Sequence, residues 1–274
     1  MKLPTDIPLG KDHDYPEDYS PAILYPVPRQ LGRSTLTDVP EFIGFDRWTG
    51  FELSWLNPKG KPEVSIIEID VPADSPNIVE SKSLKLYLNG FNFFRTERSA
   101  LIQIIERDLA EKVGARVAIK LYSAEDYPIQ EPKGFELLDS LDVCIDEYQV
   151  NPDVLQIHAD KSVQQHYKTH LFRSLCPVTS QPDWASVYVS VNGPEIVKES
   201  LLKYLISFRR HQGFHELCVE HIYSDLFNRF KPDALSVFAR FTRRGGLDIN
   251  PYRTSVKSMN NGEGSQFFSR TARQ

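Results

Sequence analysis

Two stretches of the chain echo one another. PNIVESKSLKLYL over residues 76–88 and PEIVKESLLKYL over residues 194–205 align once a one-residue gap is allowed. Each sits in the same order of elements, the signature of a duplicated unit rather than of two unrelated domains. In the first half, residues 51–56 and 63–71 are rich in β-forming side chains and flank NPKGKP, a turn by composition, so they read as a hairpin. Leu101, Ile105, Leu109 and Val113 recur every fourth position and predict a helix over residues 96–113, stopped by Gly114. Residues 115–123 return as a strand. In the second half, residues 186–191 alternate as a strand, residues 196–208 and 214–230 carry helical patterns, and residues 234–242 form a strand again. The expected fold class is α+β, in two copies of one antiparallel unit.

A chain of 274 residues is near the upper limit for a single hydrophobic core, which agrees with two units. Residues 1–150 are expected to form the N-terminal unit, opening with a Pro-rich arm over 1–45, and residues 151–274 the C-terminal unit. The arm holds seven of the nineteen prolines and suits extended backbone, and Ile23, Leu24 and Tyr25 give it apolar surface to lay against the body. A net charge of −5 argues against non-specific binding to nucleic acid. No apolar run approaches the length of a membrane span. Cys144, Cys176 and Cys218 make an odd number with no CxxC pair, and no secretory leader is evident, so a reducing cytoplasm is expected rather than a disulfide framework.

The densest chemistry lies in LCPVTSQPDW, residues 175–184, where Cys176 stands seven residues before Asp183. Pro177 and Pro182 each hold their own φ and push the preceding residue toward extended backbone, so two corners should flank a short Val-Thr-Ser turn. A thiol and a carboxyl group held on one stiff loop can attack and protonate the same small electrophile. Functional cysteines usually sit partly exposed on such loops, so partial exposure is expected here. A buried cysteine packing as a small hydrophobe, and an aspartate capping a turn, are the plainer alternatives.

Together with ESKSLKLYLN at residues 80–89, GFHE at residues 213–216 and RRGGLDINPYR at residues 243–253, this segment resembles the NADPH-dependent 7-cyano-7-deazaguanine reductases, the nitrile reductases of queuosine (tRNA modification) biosynthesis. The resemblance spans nearly the whole chain and matches the long, tandem form. Leu175, where a polar residue is expected, and Ser180, at a variable position, are mild departures. The resemblance implies two tandem tunnelling-fold (T-fold) units, antiparallel sheets with helices on one face. It also implies active sites between units, and a homodimer that closes the barrel and hides its edge strands.

The implied reaction takes the nitrile of a small deazapurine to a primary amine at the expense of two NADPH. Cys176 would add to the nitrile carbon to give a thioimide, and Asp183, protonated through burial and like-charge repulsion, would supply the proton. Guanine-like rings present adjacent N–H donors that one carboxylate can accept, and Glu216 is the first choice for that role, Glu80 the second. His215 could position substrate or a proton, and Val79 and Ser81 join the implied substrate contacts. By the same resemblance Ser81, Lys82, Arg244 and Gly245 contact NADPH. Read on their own, His215-Glu216 also suits an exposed helix start, and Glu80, Ser81 and Lys82 a solvated turn.

No Rossmann fingerprint is present: NGEGSQF near Asn261 lacks a third glycine and a preceding strand and reads as a flexible loop. Two HxxxH spacings, His166 to His170 and His211 to His215, could set ligand pairs on one helical face, but neither has a third ligand at a diagnostic spacing, and no metal is expected. Cys144 and Cys218 are expected to be buried fillers. Two other readings compete, a thiol-dependent nitrile hydrolase and a non-catalytic purine-binding T-fold module. The Arg243 to Gly246 segment speaks against the first, and the Cys176/Asp183 spacing against the second.

Overall fold

The computed structural model describes residues 18–129 and 131–257, so the NGEGSQF stretch and the first part of the arm lie outside the described residues. The chain divides into two compact units, each built around its own core. The first takes in residues 1–35, 45–127 and 243–249, and the second residues 36–44, 128–242 and 250–274.

In the first unit the arm supplies strand β1 (Pro26–Pro28) and the single turn α1 (Gln30–Arg33). Strands β2 (Ile43–Leu56) and β3 (Pro62–Pro72) form the expected hairpin, antiparallel, with a register shift between Gly50 and Leu53. Short β4 (Asn77–Val79) pairs with β1 and leads into helix α2 (Ser81–Asn89). Helix α3 (Arg98–Val113) follows and ends where Gly114 turns left-handed at φ 74°. Strand β5 (Ala118–Tyr122) adds antiparallel to β3. The periodic residues Leu101, Ile105, Leu109 and Val113 are all buried, against Trp48, Ile67 and Ile69 of the sheet. Burial of four such side chains contributes roughly 6–12 kcal/mol before chain entropy is subtracted.

The second unit contains two-residue β6 (Glu136–Leu137), the long hairpin β7 (Ile157–Leu175) and β8 (Pro182–Ile196), helices α4 (Lys198–Ser207) and α5 (His215–Phe230), and strand β9 (Ala234–Phe241). Strand β10 (Leu247–Thr254) begins in the first unit and pairs with β9 in the second. The pairings β7–β8, β8–β9 and β9–β10 are antiparallel, and β6 pairs with β7 in parallel. Alternate residues of β8, Ala185, Val187, Val189 and Val191, pack against Leu201, Leu205, Val219 and Ile222 of the two helices. The class is therefore α+β, with helices on one face of antiparallel strands, as expected.

The sequence echo corresponds to a repeated local architecture. Ser83 in α2 bonds back to the carbonyl of Glu80 and accepts from the amide of Tyr25; Ser200 in α4 bonds back to Val197 and accepts from Gln156. Tyr87 donates to Asp108 across α2 and α3, and Tyr204 donates to Asp225 across α4 and α5, at one constant offset along the chain. The segments that feed these contacts match too: a 3₁₀ turn at Pro21–Ile23 before buried Leu24, and one at Pro152–Val154 before buried Leu155. Among the described residues no helix is long and apolar enough to cross a membrane.

Candidate active site

Cys176 occupies the connection between β7 and β8. Its amide donates to Gln181 O at 2.9 Å and its carbonyl accepts from Ser180 N at 3.0 Å, closing a tight loop in which Ser180 takes φ 55°. Pro182 opens β8 and pairs with Leu175, and Asp183 pairs with Ser174. The loop geometry follows the proline argument, but the expected partial exposure does not hold. Cys176 and Asp183 are each only 4% exposed, because the segment 211–214 lies against the base of the hairpin. There Leu175 N donates to His211 O, Gly213 N donates to Leu175 O, and Gln212 Nε2 reaches Ser180 Oγ.

Helix α5 starts beside this hairpin and delivers His215 and Glu216 in its first turn. His215 Nε2 lies 3.4 Å from Asp183 Oδ2. The imidazole is stacked on Phe241, 3.7 Å between centroids and 3° between planes, and its Nδ1 has no hydrogen-bond partner among the described residues. With no acceptor at Nδ1, the ring proton of the neutral histidine belongs on Nε2, directed at Asp183. Glu216 is 3% exposed, in a helix first turn where a carboxylate is favoured. Cys218, one turn further on, is fully buried, and burial pushes its thiol up to about 12. It stays protonated at neutral pH and is no nucleophile. Cys144, expected to be a buried filler, is exposed instead. It falls in the irregular segment between β6 and β7, from which Leu138 and Leu155 rather than Cys144 enter the core.

The other candidates lie in the first unit. Glu80 is 1% exposed and is the N-cap of α2: Oε1 accepts from Lys82 N at 2.7 Å and Oε2 from Ser83 N at 2.8 Å. Residues 80–82 thus open a helix rather than a solvated turn, and Ser81 and Lys82 stand in its first turn. Val79 is buried in β4. Arg244 and Leu247 exchange backbone hydrogen bonds around Gly245 (φ 59°) and Gly246 (φ 85°), a two-residue turn whose central positions both demand left-handed backbone. A Cβ on Gly245 would sit 2.8 Å from Lys85 Nζ, so this turn packs directly against α2. Sequence reasoning missed Lys85, although its i, i+3 spacing from Lys82 puts both on one helix face.

The histidine spacings do not make helical pairs. His166 and His170 lie in β7, bonded to Ser190 and Ser186, and His211 precedes α5. Among the described residues no three potential ligands gather around a metal-sized site.

Known families match both parts of the chain. The model described as "Nitrile reductase, 7-cyano-7-deazaguanine-reductase N-term" matches residues 15–121, and that described as "QueF-like protein" matches residues 182–260. A protein of Chromohalobacter salexigens named NADPH-dependent 7-cyano-7-deazaguanine reductase is 49% identical over 253 residues, 90% of either chain. Its namesakes from Cupriavidus taiwanensis and Ralstonia nicotianae are 47% and 49% identical, each covering 94% of this chain and 96% of the relative. The chain belongs to the NADPH-dependent 7-cyano-7-deazaguanine reductase family. The two family models fall one on each repeat. Within the reductase family frame, the hairpin carrying Cys176 belongs to the second unit and the Glu80 helix to the first.

Proposed function

We propose that the chain reduces the nitrile of 7-cyano-7-deazaguanine to the aminomethyl group with NADPH, in queuosine biosynthesis, through a thioimide on Cys176. The observation that carries this reading is the hairpin turn flanked by buried Cys176 and Asp183, with His215 3.4 Å from the carboxylate. Sulfur is the protein nucleophile best suited to a nitrile carbon near neutral pH. As the S–C bond forms, one C≡N π pair moves to nitrogen, and the thiol proton reaches that nitrogen by way of Asp183. His215 orients the carboxyl group and shares its proton. Burial of both groups at 4% exposure keeps water from the thioimide, which favours reduction over the hydrolase alternative.

Glu216 accepts the paired N–H donors of the deazaguanine edge in this reading. Glu80 is second, since both its oxygens already accept from backbone amides. Val79 and Ser81 complete the substrate contacts. Ser81, Lys82, Arg244 and Gly245 hold NADPH, which when bound supplies the hydride equivalents. The donor set fits such a group: the glycine turn carries no side chain to obstruct a phosphate, and Lys85 beside it forms no ion pair with a carboxylate among the described residues.

Purified protein given the nitrile should oxidise two NADPH for each nitrile consumed and, without cofactor, should gain the mass of the nitrile. Neither NADPH oxidation nor an adduct would leave the proposal without support.

A further inference from the structure

Beside the hairpin, on strand positions that the reaction does not use, two guanidinium groups converge on one indole. Arg173 of β7 faces Trp184 of β8 across the strand pair. The Arg173 guanidinium carbon lies 5.6 Å from the Trp184 ring centroid, and that of Arg209, in the 3₁₀ turn after α4, lies 5.5 Å from it. Neither arginine has an ion-pair partner among the described residues. Arg173 Nε is buried and has no hydrogen-bond partner among the described residues. Arg210, next to Arg209, is exposed and adds a third positive charge.

A protein of net charge −5 has carboxylates to spare, yet none among the described residues forms an ion pair with Arg173 or Arg209. Like charges brought to one ring repel, and a desolvated guanidinium N–H without an acceptor is costly. Both costs vanish if an anion completes the site. Fork-shaped donors at a shared locus suit the several oxygens of a phosphate better than a single carboxylate. Trp184, 36% exposed, is within reach of both guanidinium groups and provides a flat wall.

We infer that Arg173, Arg209 and Trp184 form a phosphate-binding ledge in the second unit, separate from the Lys82 and Arg244 cations of the first. Its ligand is a small phosphorylated molecule, from one of two sources: the diphosphate of the dinucleotide cofactor, in which case the inference rests on the proposed function, or a separate phosphorylated metabolite.

Trp184 is itself the reporter, since Trp48 and Trp55 are 2% and 1% exposed. Inorganic pyrophosphate titrated into the full chain should change tryptophan emission saturably, and Trp184→Phe should abolish the change. Arg173→Gln with Arg209→Gln should weaken pyrophosphate binding about ten-fold or more, with the paired Lys substitutions in between. Thioimide formation without cofactor, read by intact mass, should be retained in these variants and so report that they fold. A matching rise in KM for NADPH, with pyrophosphate competing against NADPH, identifies the cofactor as the source. Pyrophosphate binding with an unchanged KM identifies a separate phosphorylated ligand. The ledge is overturned if pyrophosphate leaves Trp184 emission unchanged, or if both the Gln and the Lys variants bind it like the parent. A parent that binds pyrophosphate but never oxidises NADPH would remove the proposed function and keep the ledge.

Discussion

His215 and Asp183 meet with 3.4 Å between Nε2 and Oδ2, and the flat stacking of His215 on Phe241 sets the plane in which they meet. The side chains come from a helix and a strand, so their geometry depends on a third element, β9, whose last residue is Phe241. In the proposed mechanism the Phe241 ring would position the proton carrier.

Phe241→Leu removes the stacked face while keeping an apolar residue. Loss of an aromatic pair worth about 1 kcal/mol should slow thioimide formation by roughly five-fold to ten-fold, with a smaller change in affinity for the nitrile. Rapid-quench mass spectrometry separates the two. An unchanged adduct rate would show that His215 is held by α5 alone.

Among the three cysteines only Cys176 should react. Cys176→Ala should still bind the nitrile and form no adduct. Cys144→Ala should behave as the parent, and Cys218→Ala should keep the adduct while losing about 1–2 kcal/mol of stability from its buried position. An adduct on the Cys176→Ala protein would reassign the nucleophile.

Asp183→Asn keeps the size of the side chain but supplies no acidic proton. The thioimide should form slowly or not at all, with NADPH oxidation lowered about 100-fold or more, in the range of a lost general acid. Alkylation of Cys176 by a small reagent should persist, which tells the loss of the proton from the collapse of the loop. Parental nitrile reduction by this variant would move proton donation elsewhere, His215 first.

Acid should destabilise the second unit through His211 and His221. Burial lowers both to about 4, with the neighbouring His221 adding to the shift at His211. Unfolded histidines bind their protons near pH 6.5, so between 6.5 and 4 the unfolded chain holds more protons and stability falls as the pH falls. Asp225, raised to about 6 by burial, opposes this, since the folded carboxyl protonates first and stability rises as the pH drops from 6 toward 3.8. At pH 5 each histidine costs roughly 2 kcal/mol and Asp225 returns roughly 1 kcal/mol, so the two histidines together win. Urea denaturation at pH 7 and pH 5 should show the loss, and His211→Phe with His221→Phe should remove most of it. Equal parental stability at the two pH values would contradict the assignment.

Elements whose signal is local could be read directly. The β2–β3 hairpin announced itself through NPKGKP, and α3 through four apolar residues on one face, because turn chemistry and helical period act within a few residues. The duplication was visible in one short echo, and the Cys176 loop in its two prolines. Strand β7 was not legible. Three register shifts break its alternation, and one face carries His166, Lys168 and His170, so no period survives in the sequence. Helix α2 was missed at its start because the cap is a side-chain event: the Glu80 carboxylate accepting from two amides is what commits Ser81 and Lys82 to the helix.

The sequence alone determined which residue types stand ready for the chemistry, and the fold class in which they stand. The tertiary structure decided what they meet. It buried Cys176 and Asp183 under the segment before α5, set His215 against Asp183 from 32 positions away, and joined residues 243–249 to a unit that begins at the other end of the chain. Those outcomes depend on packing between elements far apart in sequence, and such contacts leave no periodic trace in the residues that make them.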